Sequence, residues 1–258
     1  MTESQYGIIK PKSTLSHMAL LRVPHRGRLL EVGDPPFGPN KYEDNKKSMK
    51  ERRLHAEIFQ EMTFRPLTTS ESISVLAYNF RNEGVPKIID SCCLQLGRHL
   101  RTQEGVYANL PNDAQGNPIT DLEILKKLLD KTTKIRHGKG NIYLGDNDFG
   151  YAEYETFKRG IQSICEFTTG GLAIILEHTT DKLAARNLSD IASPYHLRGV
   201  NVYRFDPVPY SIHMLVGMCS EMQDSGGCCL FLGELSWDGS GDYAYGALVS
   251  GEASAPKK

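Results

Sequence analysis

The sequence lacks the long apolar run that a membrane-spanning helix requires. No stretch approaches the ~18–20 uninterrupted apolar residues of such a span. The first 28 residues also hold no apolar segment followed by the small-residue cleavage site of a secretory signal. We therefore expect a chain without a transmembrane segment, which is not secreted and which works inside the cell, in the cytoplasm or the nucleus.

The sequence is equally poor in motifs for cofactors and metals. It contains neither the Gly-x-x-x-x-Gly-Lys-Ser/Thr loop nor the Gly-x-Gly-x-x-Gly turn that cradle nucleotide phosphates. His55-Ala56-Glu57 has the His-x-Glu pattern of zinc deaminases, but the next cysteines, Cys92 and Cys93, are adjacent and lack the preceding proline. The acidic segment 146–150 spaces its residues wrongly for a calcium loop and predicts a tight turn. We expect no metal and no cofactor.

Cysteine is present in a pattern that does not indicate a disulfide framework. The six cysteines comprise two adjacent pairs, Cys92-Cys93 and Cys228-Cys229, and the separate Cys165 and Cys219. Neighbouring cysteines rarely bridge each other, and leucines flank both pairs. Reduced, buried thiols are therefore the preferred interpretation, in keeping with an intracellular protein.

Composition supports a folded chain whose charge is unevenly spread. Hydrophobic residues make up 40% and charged residues 24% of the 258 residues, which is ordinary globular usage. Residues 1–53 hold eleven Lys/Arg against six Asp/Glu, whereas residues 206–258 hold two against seven. A basic start and an acidic end suit either an anionic partner or contact between the head of one copy and the tail of the next.

Prolines and glycines divide the chain into three parts. Frequent prolines predict an irregular arm over residues 1–40, with one short strand at Met18–Val23. Residues 41–250 are expected to form a single globular domain, and residues 251–258 a flexible tail. The arm either packs over the domain or reaches a partner.

Helical spacing of apolar residues dominates most of the domain. It predicts helices over 41–62, Ser70–Asn82, Pro86–Leu100, a segment starting at a Thr120–Glu123 capping box, Tyr151–Phe167, 181–192 and Ser211–Met222. The apolar run Leu172–Leu176 fits a strand or a buried helix. Strands are predicted at Asn141–Leu144, Val200–Phe205 and in a C-terminal hairpin of Cys228–Leu235 with Tyr243–Val249. The expected fold class is α+β, helix-rich in its N-terminal and central parts, with a small antiparallel sheet that includes this hairpin.

Two basic segments are the main candidates for a binding site. One follows the predicted helix 41–62, and the other is expected in a loop after the helix that begins near Thr120. Tyr42 and Tyr143 could stack on bases beside them. The candidate residues for binding an anionic ligand, either nucleic acid or an anionic membrane surface, are Lys46, Lys47, Lys50, Arg52, Arg53, Lys131, Lys134, Arg136 and Lys139.

No constellation of catalytic residues is visible, so the leading hypothesis is a non-enzymatic interaction protein. Such a protein would assemble with itself, with Trp237 and Tyr243 of the hairpin as contact residues, and would bind an anionic polymer or surface. A capsid, nucleocapsid or matrix-type subunit encoded by a virus fits this description. Two alternatives stay open: an enzyme that uses cysteines and histidines of the second half, and a monomeric regulator with one protein partner.

Overall fold

The computed structural model describes residues 19–34, 36, 54–56, 59–82, 93–180, 186–195, 199–222, 228–235 and 244–249. Contacts divide the chain into two compact units. The first comprises residues 1–67 and 238–258, and the second comprises residues 68–237. The boundaries predicted for an arm, a domain and a tail stay a prediction.

The regular elements in the described ranges are predominantly strands. The strands are β1 Ala19–His25, β2 Arg28–Asp34, β3 Leu54–Ala56, β4 Phe59–Pro66, β5 Leu94–Arg101, β6 Gly105–Ala108, β7 Thr133–His137, β8 Gly140–Leu144, β9 Gly150–Glu153, β10 Gly160–Gln162, β11 Val200–Tyr203, β12 Ile212–Met222, β13 Cys228–Leu235 and β14 Gly246–Val249. The α-helices are α1 Thr69–Arg81, α2 Leu122–Leu129, α3 Ile164–Thr168, α4 Gly171–Glu177 and α5 Arg186–Ala192. Short 3-10 turns cover Tyr154–Thr156 and Ser193–Tyr195.

The first unit is built on a five-stranded sheet with the order β1-β2-β14-β4-β3. Its opening hairpin, β1 with β2, turns through Arg26 and Gly27, whose φ angles are 46° and 77°. Two consecutive positive φ values are the signature of the tight hairpin turn that matches the twist of the strands. Phe64 and Ala244 form the buried centre of this unit. The strand predicted at Met18–Val23 is thus confirmed as β1.

The second unit contains a nine-stranded sheet with the order β10-β11-β13-β12-β5-β6-β9-β8-β7. The pairing of β11 with β13 is parallel, and every other pairing between these nine strands is antiparallel. The β8–β9 hairpin turns through Asn147 and Asp148, both with positive φ. The acidic segment predicted as a tight turn is therefore a two-residue hairpin turn.

Helices cover both faces of the β5–β9 part of this sheet. Helices α1, α4 and α5 pack together, and α4 lies over β8 and β9, where Gly150 leaves room for Ile175. On the opposite face, α2 buries Leu125 against Tyr107 and Tyr151. Because successive side chains of a strand point to opposite faces, Tyr107 and Tyr151 meet α2 while their neighbours meet α4.

Two predicted helix starts are confirmed, each with a corrected cap. The N-cap of α1 is Thr68, not Ser70, and it forms a capping box with Glu71. The N-cap of α2 is Asp121, whose side chain accepts from the backbone N–H groups of Glu123 and Ile124. Thr68 and Asp121 are the N-cap residues because each has the extended backbone angles that an N-cap requires.

Other predicted helices are wrong. Residues 54–56 and 59–62, 94–100 and 212–222 are strands, and Tyr151–Phe167 divides into β9, a 3-10 turn, β10 and α3. The β12 segment shows the physical reason: Met214, Val216 and Met218 line one face while Leu215 and Cys219 line the other. A strand with apolar residues on both faces has no alternation, so its pattern does not distinguish it from a buried helix. The ambiguous run Leu172–Leu176 is helical, within α4.

The predicted C-terminal hairpin is also wrong, although both of its strands exist. β13 lies between β11 and β12 in the nine-stranded sheet, whereas β14 lies between β2 and β4 in the five-stranded sheet. Both edges of each strand are occupied, so the two do not pair with each other. Trp237 and Tyr243, assigned to self-association at the hairpin tip, lie outside the described residues.

The fold class expected from the sequence is therefore corrected: the chain is rich in strands rather than in helices, and its larger sheet is mixed rather than small and antiparallel. Within the described ranges, every helix is too short or too polar to cross a lipid bilayer.

Candidate functional site

One end of the nine-stranded sheet exposes an unusual row of side chains. Ile161 on β10, Asn201 on β11 and Phe231 on β13 are register partners, and Tyr203 follows two residues after Asn201. Side chains two apart, or paired across strands, share one face of a sheet. On this face Ile161 is 62% and Tyr203 is 43% exposed. The opposite face is apolar and buried, and its members are Val200, Val202, Leu230 and Leu232.

Tyr203 and Phe231 form an aromatic pair, which we call the aromatic platform. Their ring centroids lie 5.4 Å apart with an interplanar angle of 44°. The register partner of Tyr203 is Gly233, and a Cβ there would lie 3.0 Å from Cζ of Phe231 and 2.9 Å from the carbonyl oxygen of Tyr203. Glycine at this position therefore lets the two rings approach each other.

A cation lies directly on the aromatic platform. The guanidinium carbon of Arg204 is 5.1 Å from the ring centroid of Tyr203, within the range of a cation–π contact. A hydrogen bond with the Tyr203 side chain raises the pKa of Arg204 above its usual value. The backbone of Arg204 is held in place by buried Arg101, whose guanidinium donates a hydrogen bond to the Arg204 carbonyl oxygen at 2.5 Å.

Tyr203 of this platform lines a cleft of about 740 Å³, which we call the Tyr203 cleft. Its lining contains three cationic side chains and one carboxylate; the residues are Phe157, Lys158, Arg159, Gly160, Asn201, Val202, Tyr203, Arg204 and Asp206. Lys158 pairs with Glu166, and Arg159 lies 3.4 Å from Asp206. Solvent screens ion pairs that are this exposed, so an incoming anion can replace the carboxylates.

A second cleft of about 700 Å³ adjoins the first and shares Arg159 with it. The charge of its lining is opposite, because it contains three glutamates and a single arginine. The lining residues are Gln103, Glu104, Tyr151, Glu153, Tyr154, Glu155, Arg159 and Pro207. Burial raises the pKa of Tyr154 to about 12, and its hydroxyl donates to the carbonyl oxygens of Thr102 and Asp206. An anionic ligand would be attracted to the Tyr203 cleft and repelled by this acidic neighbour.

A buried polar network near the N-terminus of α1 has the residue types of a catalytic triad, but its hydrogen bonds do not connect them in the order that a triad requires. Ser70 Oγ donates to Asp148 Oδ2 at 2.6 Å, and Thr68 donates to the same oxygen. His178 Nδ1 lies 3.8 Å from Asp148 Oδ1, and its Nε2 lies 3.2 Å from the carbonyl oxygen of Phe149. The hydroxyls thus donate to the carboxylate instead of to the imidazole that would activate them. The network joins α1, the β8–β9 turn and α4.

The enzyme alternative rests on cysteines and histidines of the second half, of which the structure describes Cys165, Cys219, His178 and His213, while His196 lies outside the described residues. Cys165 is exposed in α3, whereas Cys219 and His213 are half-buried on β12. Six residues of strand separate Cys219 from His213, which amounts to about 20 Å. Burial, followed by repulsion from Arg98, lowers the pKa of His213. The prediction that the thiols are buried is wrong for Cys165.

The predicted basic residues fall into two groups. The group from 46 to 53 (Lys46, Lys47, Lys50, Arg52 and Arg53) lies outside the described residues. The second group is exposed, but on and beside the β7–β8 hairpin instead of in a loop; it comprises Lys131, Lys134, Arg136 and Lys139. Lys134 Nζ lies 5.5 Å from the ring centroid of Tyr143. In strand order this hairpin is at the end of the sheet away from β10 and β11, and its four cations are not among the residues that line the Tyr203 cleft.

Sequence reasoning missed the Tyr203 cleft, although part of its signal was present. The strand predicted at Val200–Phe205 is confirmed as β11, and alternation along it puts Asn201 and Tyr203 on the polar face. The dipeptides Lys158-Arg159 and Tyr203-Arg204 are local clusters of positive charge and aromatic surface. Nothing in the sequence indicates that these two dipeptides, separated by 43 residues, lie close together in the fold.

Comparisons with known proteins add no identification: no family model, no curated protein and no solved structure matches this chain.

Proposed function

We propose that this chain is a binding protein for single-stranded nucleic acid, which it holds in the Tyr203 cleft. The observation that carries the proposal is the exposed Tyr203 ring, which contacts the Phe231 ring and the Arg204 guanidinium and lines a cleft together with two further cations. Proteins that bind single strands combine these two features, a surface for stacking unpaired bases and cations for the phosphates.

The cleft assigns a role to each group. An unpaired base stacks on the aromatic platform or on the planar guanidinium of Arg204, both of which are planar surfaces that accept a base. Lys158 and Arg159 exchange their exposed carboxylate partners for phosphate oxygens, and Arg204 supplies a third cation. The glutamates of the neighbouring cleft repel the phosphate backbone. The nucleic acid is therefore confined to the Tyr203 cleft, on one side of Arg159.

The shape of the cleft favours a single strand over the other anionic partners. A volume of about 740 Å³ lies in the range of pockets that enclose one small molecule, and it accommodates one unpaired base and its phosphate. An anionic membrane would instead meet a protruding apolar and basic surface. This function also requires a compartment that contains nucleic acid, which agrees with the expected cytoplasmic or nuclear location.

The test is fluorescence anisotropy with a labelled twelve-nucleotide single strand and three versions of the full chain. Tyr203→Ala should weaken binding by roughly 5- to 150-fold, the loss expected for one stacked base. Arg204→Ala should reduce the slope of log K against log salt by about 0.7, since one phosphate contact is lost. Equal binding by the wild type and Tyr203→Ala would refute the assignment of the site.

The β7–β8 hairpin offers a matched control, because it carries the same kind of charge on residues that do not line the Tyr203 cleft. Lys134→Ala with Arg136→Ala removes two exposed cations without touching the Tyr203 cleft. We expect this double variant to bind a short strand nearly as well as the wild type. If it loses more affinity than Arg204→Ala, the basic hairpin is the binding site and the Tyr203 cleft is not.

Self-assembly is a second candidate function, favoured by one separate observation. β10 is an outer strand of the nine-stranded sheet, and its Ile161 is 62% exposed. An outer strand with an exposed apolar side chain is a surface on which another chain can pair. Light scattering on a sizing column, with the absorbance ratio at 260 and 280 nm, separates the candidates. Ile161→Ser should lower the mass of an assembly, whereas Tyr203→Ala should leave that mass unchanged and weaken nucleic-acid binding.

A further inference from the structure

Two cysteines of the second unit lie opposite each other on neighbouring strands. The antiparallel pairing of β5 with β12 places Leu94 opposite Met218. Because the two chains run in opposite directions, the residue before Leu94 lies opposite the residue after Met218. These two residues are Cys93, directly before β5, and Cys219, within β12.

This pairing sets the separation of Cys93 and Cys219 to the range that a disulfide requires. Residues directly opposite each other in an antiparallel pair have Cα atoms about 4.5–5.5 Å apart. Disulfides join residues whose Cα atoms are about 4.4–6.8 Å apart. Opposite side chains also share one face of the sheet. Both cysteines are half-buried thiols, so a small oxidant can reach them.

The other cysteines that the structure describes do not have this relation to Cys219. Cys228 and Cys229 are paired with other residues of β12. Cys165 is exposed on α3, outside the sheet. The strand register therefore selects Cys93 as the thiol directly across from Cys219.

From this juxtaposition we infer that Cys93 and Cys219 are a redox-sensitive dithiol, which forms a disulfide within one chain when it meets a low-molecular-weight disulfide such as oxidised glutathione. The thiolate of one cysteine attacks the oxidant, breaks its S–S bond and releases one glutathione. The second cysteine attacks the mixed disulfide and releases the other glutathione. Two protein thiols are thus oxidised, one S–S bond replaces another, and the two protons from the protein end on the two glutathione thiols.

Strand geometry makes this disulfide easy to reduce again. The Cβ atoms of opposite residues are about 4.5–5.5 Å apart, whereas a relaxed disulfide brings them to about 3.5–4.5 Å. The bond therefore strains the two strands, and strained disulfides are reduced more readily than structural ones. Such a pair responds to the redox conditions around it instead of staying oxidised.

The dithiol belongs to the face of the sheet that carries the aromatic platform. Cys219 is the register partner of Phe231, which is in turn opposite Asn201. The row of side chains that begins with Ile161 on β10 therefore continues to Cys219 on β12. Oxidation thus changes the covalent structure of this face on the strand next to Phe231.

The experiment treats the full chain with oxidised glutathione, blocks the remaining thiols and measures its mass. All versions carry Cys165→Ser, which removes the exposed thiol. The disulfide should remove two hydrogens, about 2 Da, from the parent version. Digestion without reduction, followed by fragmentation, should then show Cys93 joined to Cys219. Excess reduced glutathione should restore both thiols.

Cys92→Ser is the matched control, because it changes the adjacent cysteine and leaves the proposed pair intact. It should form the same cross-link as the parent version. Cys93→Ser and Cys219→Ser should each lose the cross-link, and the remaining thiol of the pair should hold one glutathione as a mixed disulfide. This mixed disulfide distinguishes a missing partner from an unreactive thiol.

The parent version decides the inference even if a serine variant fails to fold. A parent chain that forms no cross-link in excess oxidised glutathione would overturn the inference. So would a cross-link between two chains, or one that persists in Cys93→Ser. A cross-link that excess reduced glutathione leaves intact would overturn its reversible character. These outcomes are independent of the proposed function, because the experiment measures thiols and not nucleic-acid binding.

Discussion

The buried carboxyl of Glu177 should make the stability of the chain depend on pH in an unusual direction. Glu177 is the last residue of α4, and its Oε1 accepts from the backbone N–H of Leu188 in α5 at 2.6 Å. Burial raises its pKa to about 7, against opposing effects of hydrogen bonds from the backbone of Leu188 and Asn187 and of the nearby charge of Arg81. The folded chain therefore holds a proton that the unfolded chain releases.

The sign follows from where the protons are bound. Between about pH 4.5 and about pH 7, Glu177 is protonated in the folded state and ionised in the unfolded state. Because the folded state binds more protons in this window, the contribution of Glu177 to the free energy of unfolding falls as the pH rises. A pKa of about 7 instead of 4.5 corresponds to a loss of at most ~3 kcal/mol, complete above about pH 7.

Glu177→Gln tests this, because glutamine keeps the carbonyl acceptor for Leu188 and stays neutral at every pH. We expect the variant and the wild type to have similar free energies of unfolding at pH 5. At pH 8 the variant should be more stable, by up to ~3 kcal/mol. Urea denaturation followed by circular dichroism measures both. Glu123→Gln, at an exposed carboxylate, is the matched control and should change stability little at either pH.

Equal pH dependence in the wild type and in Glu177→Gln would refute the reasoning. So would a variant that is less stable than the wild type at pH 8, because the ionised carboxylate would then be stabilising the fold. Either result would mean that Glu177 is better solvated or better paired than its burial next to α5 indicates.

Two further substitutions test the packing of the second unit. Gly233→Ala should displace the Phe231 ring, which would lie 3.0 Å from the new Cβ. We expect the affinity for single-stranded nucleic acid to fall several-fold. The free energy of unfolding, measured by urea denaturation, should fall by about 1–3 kcal/mol. Leu125→Ala should cost about 2–5 kcal/mol in the same urea experiment, because Leu125 is fully buried between α2 and the sheet. Ile124→Ala, one residue earlier and 45% exposed, is its control and should cost well under half as much.

How much of the fold was predictable depends on whether an element has one polar face. α2 presents Leu125 to the core and its charged residues to solvent, so the spacing of its apolar residues predicts a helix. β11 alternates between buried Val202 and exposed Tyr203, so its pattern predicts a strand. β12 carries apolar side chains on both faces, and its pattern was interpreted as a helix. Periodicity reports the contrast between two faces, and a strand without contrast carries no such signal.

The same physics explains why the candidate site could not be assembled from the sequence. Lys158 and Arg159 precede β10, Tyr203 ends β11 and Arg204 follows it, and Phe231 lies in β13. Each fragment is ordinary by itself. The site exists only because β10 and β13 pair with opposite edges of β11, and pairing between distant strands leaves no mark in a local pattern.

The position of the cleft in the sheet has a physical reason of its own. β11 and β13 are the parallel pair among the nine strands, so their carboxyl ends point to the same edge of the sheet. At these carboxyl ends the chain leaves the sheet, which opens a crevice. In many α/β sheets ligands bind in the crevice outside the carboxyl ends of parallel strands. Tyr203 and Arg204 lie at that end of β11, and Glu234, 4.0 Å from Arg204, lies at that end of β13. The one parallel pairing thus brings the aromatic platform and its cation to the edge of the sheet where a ligand can reach both.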